Sequence, residues 1–206
     1  MTVTGITEYR KGKYKIYLND QFAFVLYKGE LSEYGIIEGE ELPDDIINDI
    51  RTEVLGRRAR LRAMNLLKSR DYTEFMLRRK LKESLYPDDI IDDAVGYVMS
   101  YGYVDDVRYA RDYVTAHILT RSRRELISKL KEKGIDDRVI SMVMSEFSDE
   151  GEEEELIEKL IRKRIARVTG WDEVSRRKLL SYMYGKGFPI DKTERVLDKV
   201  LLDITL

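Results

Sequence analysis

One apolar pattern occurs twice between residues 70 and 147, and it constrains the fold more than any other feature of the chain. The second copy repeats the first at an offset of 49 residues, and a fainter third copy follows the second at an offset of 53. The recurring positions are Leu77, Leu81, Ile90, Ile91 and Val98, then Leu126, Leu130, Val139, Ile140, Val143 and Phe147, then Leu179, Met183, Val196 and Val200. A period of about fifty residues predicts a tandem array of helical modules, which usually offers an extended surface to a partner.

Each copy predicts three helices, because apolar residues at helical spacing alternate with residues that start or stop helices. The expected helices cover residues 57–69, 73–84 and 88–100, then 105–120, 122–133 and 136–147, then 152–168, 172–186 and 190–203. Glycines such as Gly102, Gly134 and Gly187 supply the stops, and aspartates such as Asp105 and Asp136 supply N-terminal caps. The expected divisions are a strand-rich segment with a linking helix at 1–56 and helical repeats at 57–103, 104–149 and 150–206.

The first 56 residues have a different period. Tyr14, Ile16 and Leu18 alternate with polar residues, and a second alternating run follows the turn residues Asn19 and Asp20. This pattern predicts a β-hairpin. A helical stripe follows, with Gly56 as a plausible break or a tolerated weak point within the helix. The expected fold is therefore mainly α, with tandem three-helix modules in an elongated array and a small N-terminal β-hairpin segment.

Charge is unevenly distributed although the whole chain carries a formal net charge of only −2. Residues 57–82 hold ten bases against two acids, whereas residues 1–56 hold eleven acids against six bases. The basic stretch favours binding to a polyanion or to an acidic protein surface. Residues 148–155, with six acids in eight positions, indicate a solvated linker that leads into a helix.

Several classes of function are disfavoured. The chain has no cysteine, which excludes disulfides, thiolate metal sites and cysteine nucleophiles. No apolar run is long enough for a membrane span, and no signal peptide is visible, so we expect a cytoplasmic protein that does not bind membranes. Neither a phosphate-binding loop nor a dinucleotide motif occurs. No cofactor is therefore expected.

The chain also offers little for catalysis. His117 is the single histidine, and no nucleophile is signalled near it, so a structural role on its helix is expected. Paired aspartates, such as Asp88 with Asp89 and Asp92 with Asp93, could serve a metal-dependent nuclease. Their places at helix starts favour capping instead. We expect a protein that is not an enzyme and holds no metal.

The basic clusters are the strongest functional signal. Arg123 with Arg124 and Arg176 with Arg177 occupy equivalent positions in the second and third repeats. Each cluster could also be a solvated helix face paired with nearby acids, but recurrence favours a binding stripe, because guanidinium groups bind phosphates and carboxylates in pairs of hydrogen bonds. The candidate partner- and DNA-binding residues are Arg57, Arg58, Arg70, Arg78, Arg79, Lys80, Lys82, Arg123, Arg124, Arg162, Arg164, Arg176 and Arg177.

The repeat residues resemble the RecX family, bacterial regulators of the RecA recombinase. The residues that match its three motifs are Arg70, Thr73, Leu77, Lys80 and Leu81, then Gly102, Tyr103, Val104, Asp105, Asp106, Tyr109, Ala110, Tyr113 and Val114, then Leu130, Lys133, Gly134 and Ile135. The middle motif is specific to this family. The resemblance covers most of the chain. Thr73 replaces the usual serine, Met76 and Lys129 replace two glutamates, and Ser122 stands where glycine is common.

The resemblance implies a regulator of homologous recombination, DNA repair and the SOS response. Proteins of this family lie along the groove of a RecA filament on single-stranded DNA and limit filament growth, ATP hydrolysis and strand exchange. A monomer that binds free single-stranded or duplex DNA more weakly than the filament is expected. The alternative is a helical-repeat protein that binds DNA by itself, since three-helix modules with a basic helix are a common groove-reading device.

Overall fold

The computed structural model describes residues 1–147, 150–168 and 170–205. These residues are mostly helical, and the described strands lie at the N-terminal end. The chain forms two compact units, Met1–Asp105 and Asp106–Leu206. The prediction of a mainly α fold with tandem three-helix groups and a small N-terminal β segment is confirmed.

The N-terminal strands form an antiparallel sheet. Strand β1 covers Val3–Arg10, β2 covers Lys13–Leu18 and β3 covers Gln21–Tyr27, in the order β1-β2-β3. The predicted hairpin is β2 and β3, joined through Asn19 and Asp20, whose φ angles of 47° and 64° suit a tight hairpin turn. Strand β1 was not predicted, because it is an edge strand whose place depends on backbone pairing with β2 and whose side chains are mostly exposed.

Several helical segments connect the sheet to the helical repeats, and the last three of them run on without a break. Helix α1 covers Lys28–Glu33, and after a loop α2 covers Asp44–Asp49, a π-helical segment covers Ile50–Gly56 and α3 covers Arg57–Leu67. Of the two expectations for Gly56, the break is wrong and the tolerated position within a helix is confirmed, since the helix passes through it. Gly56 is buried, and a Cβ added there would lie 3.4 Å from the Arg51 carbonyl oxygen. The wider π turn therefore accommodates glycine without ending the helix.

Helix α3 continues into the first three-helix group with α4 at Glu74–Glu83 and α5 at Asp88–Ser100. Its repeat positions Leu77, Leu81 and Val98 are fully buried. The inner side of the sheet, which includes Ile16, Phe24 and Leu26, belongs to the same hydrophobic core. A small sheet needs a hydrophobic face or packing against a helix to be stable in water, and this shared core provides both.

Thr73 caps the first repeat helix and supplies a stability test. Its buried side chain accepts a hydrogen bond from the Met76 N–H at 3.1 Å. Substitution Thr73→Val keeps the shape but removes this acceptor, and it is expected to lower the free energy of unfolding by about 1–2 kcal/mol. Urea denaturation would measure the loss. Thr115→Val, at an exposed hydroxyl on a helix, is the matched control, and equal small losses in both variants would contradict the capping role.

The second unit contains two further three-helix groups. Helices α6, α7 and α8 cover Asp106–His117, Arg123–Glu132 and Asp137–Glu146, and helices α9, α10 and α11 cover Glu150–Ile165, Glu173–Gly185 and Ile190–Thr205. The repeat positions Leu126, Leu130, Leu179 and Met183 are buried in two separate cores. His117 is half-buried with its ring 4.5 Å from that of Tyr113, as expected for a structural histidine.

The two groups of this unit meet at buried polar contacts. Ser122 accepts from the Glu125 N–H at 3.1 Å and donates to the Lys186 carbonyl at 2.7 Å. The Arg123 N–H also donates to Glu153 of α9 at 3.5 Å. Within the third group, the Lys192 ammonium donates to the same Glu153 at 2.9 Å, and the side chains of Lys192 and Glu153 are only 16% and 10% exposed. The prediction of a solvated linker at 148–155 is therefore wrong for Glu153, whose carboxylate is largely buried by its ion pair with Lys192 of α11. Ser148 and Asp149 lie outside the described residues.

Among the described residues, none of the helices combines the length and the apolar character that crossing a bilayer requires.

Candidate partner-binding surface

The basic residues of the first group are largely paired with acids of the same group. Lys82 lies 3.0 Å from Asp88, and Lys80 lies 2.6 Å from Glu83. Arg78 contacts both Glu74 at 2.7 Å and Asp92 at 2.5 Å. Folding brings the aspartates of α5 beside the basic stretch at 57–82, so the local excess of positive charge is partly offset.

The remaining candidate residues of this group, Arg57, Arg58, Arg70 and Arg79, have varied surroundings. Arg58 is half-buried, donates to the Val25 carbonyl at 3.3 Å and pairs with Glu30, so it joins α3 to the sheet. The other three are exposed: Arg57 begins α3, Arg70 lies over the Tyr72 ring, and Arg79 lies near Phe75 and 3.9 Å from Glu83. None of these arrangements gathers several unpaired cations in one place.

The paired aspartates of α5 are occupied by cations. Asp89 pairs with Arg51, and Asp93 accepts two hydrogen bonds of 2.7 Å from Arg60. These bonds from Arg60 hold the pKa of the Asp93 carboxyl below its ordinary value. In residues 1–147, 150–168 and 170–205, no three His, Cys, Asp or Glu side chains converge as metal ligands would. Asp88, Asp89, Asp92 and Asp93 thus act as ion-pair partners for neighbouring helices.

The recurring arginine pairs divide into two roles. The first arginine of each pair ties the second helix of its group to the third. Arg123 donates to the Phe147 carbonyl and, at 2.7 Å, to the Met144 carbonyl, so it satisfies the C-terminal end of α8. Arg176 donates to Asp198 on α11 at 2.7 Å, and this bond raises the pKa of the Arg176 guanidinium. Arg123 and Arg176 are therefore structural contacts in this fold.

The second arginine of each pair is exposed. The guanidinium of Arg124 lies 5.2 Å from the centre of the Tyr184 ring on α10. Arg177 lies one turn from Ser181 and two turns from Tyr184 along the same helix, so these three side chains share one face of α10. Neither arginine makes an ion pair within the described part of the chain.

A depression beside α10 gathers further cations. Arg164 lies with its guanidinium 4.2 Å from the Tyr182 ring centre, and the Lys186 ammonium lies 5.7 Å from the same ring. The lining of the depression, which includes Arg177 and Lys178, contains no carboxylate. We define the α10 surface as Arg124, Arg164, Arg177, Lys178, Tyr182 and Tyr184. It presents several cations and the exposed ring of Tyr184 to solvent, and the half-buried ring of Tyr182 lines the depression.

Arg162 does not join this surface. It donates to Glu158 at 2.8 Å and to Asp203 at 2.7 Å, and these two bonds raise the pKa of the Arg162 guanidinium. It therefore connects α9 to α11. The tyrosines and Lys178 were missed as candidates, although the spacing of Arg177, Ser181 and Tyr184 on one helix could have indicated the face. The contacts from Arg124 and Arg164 could not be expected, because they come from two other helices.

Comparisons with known proteins agree with this arrangement. The family model for the first three-helix domain of RecX matches residues 59–97, and that for the third three-helix domain matches residues 152–197. These ranges correspond to α3–α5 and α9–α11.

Full-length relatives and a solved structure extend the similarity to the whole chain. The regulatory protein RecX of Leuconostoc mesenteroides is 29% identical over 98% of this chain and 76% of its own length. That of Caldanaerobacter subterraneus is 27% identical over 96% of this chain and 99% of its own length. A crystal structure of regulatory protein RecX superposes with a TM-score of 0.67 at 26% identity, covering 96% of this chain and 98% of that one. Together with the repeat motifs and the three-helix groups, these matches show that the chain belongs to the RecX family of regulatory proteins.

Proposed function

We propose that the protein binds the filament that RecA forms on single-stranded DNA and inhibits filament growth, ATP hydrolysis and strand exchange. The observation that carries the proposal is the exposed second arginine of each recurring pair. Arg124 and Arg177 occupy equivalent positions in successive three-helix groups, lie beside tyrosines and make no ion pair in the described residues. Exposed guanidinium groups bind carboxylates and phosphates through paired hydrogen bonds.

The periodicity of these arginines favours a periodic partner. A filament repeats the same subunit along its length, and a tandem-repeat protein presents equivalent side chains at successive positions. A partner with a single small binding site would contact either Arg124 or Arg177, and the recurrence of the second arginine would then have no role in binding. We also propose that residues 57–103, 104–149 and 150–206 act as the binding modules, with no catalytic step by this chain.

The second candidate function is binding to DNA without RecA. It is favoured by the depression within the α10 surface, because the lining of that depression lacks carboxylates and its cations Arg164, Arg177 and Lys178 could contact phosphates directly. Binding carried by phosphates weakens steeply with salt, with a slope of roughly 0.9 log units of affinity per log unit of salt for each phosphate neutralised on duplex DNA.

A titration of RecA ATP hydrolysis on single-stranded DNA separates the two functions. The full-length protein would be added at two salt concentrations, and its binding to the bare DNA would be measured in parallel. We expect inhibition well below RecA stoichiometry together with weak binding to bare DNA. Inhibition that begins only when the protein coats the DNA would contradict the filament proposal and favour simple competition for phosphates.

A further inference from the structure

The outer face of the N-terminal sheet carries cations and aromatic rings side by side. In the register of the sheet, Arg10 on β1 lies opposite Lys13 on β2, and Lys13 lies opposite Tyr27 on β3. Directly opposed residues point to the same face of a sheet. Lys15, two residues from Lys13, shares that face. A register irregularity between Glu8 and Arg10 interrupts the strict alternation of β1 at Tyr9.

Ring contacts show how these side chains are arranged. The Tyr9 ring centre lies 5.0 Å from the Arg10 guanidinium and 4.8 Å from the Lys15 ammonium. The Tyr27 ring centre lies 4.5 Å from the Arg58 guanidinium of α3 and 5.0 Å from the Lys13 ammonium. We call Tyr9, Arg10, Lys13, Lys15 and Tyr27 the sheet face. In the part of the chain that the structure describes, its three cations form no ion pair.

A cleft extends this face toward the helices of the same unit. Its walls include Arg10, Lys13 and Tyr27 from the sheet and Leu61 and Arg62 from α3. Arg10, Lys13, Arg58 and Arg62 line it against a single carboxylate, that of Glu83, which already lies 2.6 Å from Lys80. Arg58 is paired with Glu30, so three of these cations make no ion pair in the described residues. The cleft is therefore positively charged and has an apolar wall, which suits a ligand that carries both negative charge and flat apolar groups.

We propose that the sheet face and its cleft bind single-stranded nucleic acid. Phosphates contact Arg10, Lys13, Lys15 and Arg62, while bases stack on Tyr9 and Tyr27. Such a combination of a cationic track with exposed rings is how proteins hold single strands without reading their sequence. The proposal does not depend on RecA binding, since these residues belong to the first unit and the α10 surface belongs to the second.

The layout favours a strand over other anions. The cations belong to three elements, β1, β2 and α3, so a ligand with several phosphates can contact more than one of them. An acidic peptide would supply carboxylates, which the negative faces of aromatic rings repel, whereas nucleobases stack on those faces. Rings between the cations therefore favour nucleic acid.

The test uses the full-length protein, a fluorescent oligothymidylate and no RecA. Fluorescence anisotropy is expected to show that Lys13→Gln with Lys15→Gln weakens binding and makes the slope of log affinity against log salt shallower by about 1.4, the value for two phosphates on a single strand. Tyr9→Ala is expected to weaken binding about fivefold or more through lost stacking, and Tyr9→Phe to retain it. Circular dichroism would confirm that each variant is folded.

Lys159→Gln with Lys199→Gln is the matched control, because both lysines are exposed and lie in another three-helix group. It is expected to bind like the wild type. Photocross-linking of an oligonucleotide that contains 5-iodouracil should label peptides within residues 9–27. The proposal is overturned if the wild type does not bind at low salt, if both sheet variants bind as the wild type does, if labelling falls only in residues 106–205, or if polyglutamate competes as well as unlabelled oligonucleotide.

Discussion

Replacing Arg124 and Arg177 together by glutamine is expected to raise the concentration needed for half-inhibition of RecA ATP hydrolysis by about tenfold or more. Each exposed guanidinium can form charge-assisted hydrogen bonds that contribute about 1.5–3 kcal/mol, and tenfold corresponds to about 1.4 kcal/mol. The free energy of unfolding should stay within about 0.5 kcal/mol of the wild type, because neither side chain holds an ion pair in the described structure. The ATPase titration and urea denaturation measure the two effects.

The first arginine of each pair provides the matched contrast. Arg123→Gln removes donors to the Met144 and Phe147 carbonyls, and it is expected to lower the free energy of unfolding by about 1.5–3 kcal/mol. At a temperature where this variant remains folded, its inhibition of ATP hydrolysis should be close to that of the wild type. If Arg123→Gln loses inhibition while Arg124 and Arg177 can be replaced without effect, the assignment of the α10 surface is wrong.

Gly187→Ala is expected to lower the free energy of unfolding by about 3 kcal/mol. Gly187 has a φ of +91°, where a side chain costs about 1–2 kcal/mol. An added Cβ would also lie 2.6 Å from the Ser122 hydroxyl oxygen and 3.1 Å from the Arg124 Cβ. Since Ser122 is fully buried and bonded to the Lys186 carbonyl, it cannot move away without losing that bond. Urea denaturation would measure the loss.

Two further variants separate backbone strain from the clash. Gly170→Ala has a similar φ of +82° with open space around the added Cβ, and it should cost about 1–2 kcal/mol. Ser122→Gly removes the hydroxyl that Gly187→Ala would meet, so the double variant should lose less stability than the sum of the two single losses. Strictly additive losses would show that the contact between Ser122 and position 187 carries no energy.

The helical groups were predictable because their information is local. Apolar residues at helical spacing mark the buried side of each helix, and the positions where helices stop depend on backbone conformations that glycine adopts easily. Gly102, Gly134 and Gly187 have φ angles of 68°, 78° and 91°, in agreement with their expected role as helix stops. Repetition of the pattern strengthened each prediction, since the same reasoning applied at three places.

Two backbone features could not be predicted from local patterns. Strand β1 has few buried side chains, and its place depends on hydrogen bonds with β2 that the sequence of β1 does not signal. Glycine is a residue that often ends a helix, yet Gly56 lies inside one. The π turn around it depends on its packing against the preceding turn at Arg51 and against α5. The conformation of β1 thus depends on β2, and that of the π turn depends in part on α5, which lies far along the chain.

The candidate surface was only partly predictable. Recurrence in the sequence identified Arg123 with Arg124 and Arg176 with Arg177 as related positions, but it could not distinguish the two members of each pair. That distinction depends on the third helix of each group, which brings carbonyls to Arg123 and Asp198 to Arg176.

The sequence by itself determined the number of three-helix groups, their order and the helical residues that carry charge, because helix formation and apolar periodicity act over short distances. The tertiary structure alone decided which cations remain available to a partner. Whether a cation is paired depends on carboxylates and carbonyls that lie far along the chain, as Asp92 does for Arg78 and Met144 for Arg123. Coulomb attraction and hydrogen bonding act through space, so only the folded arrangement separates structural cations from those that can bind.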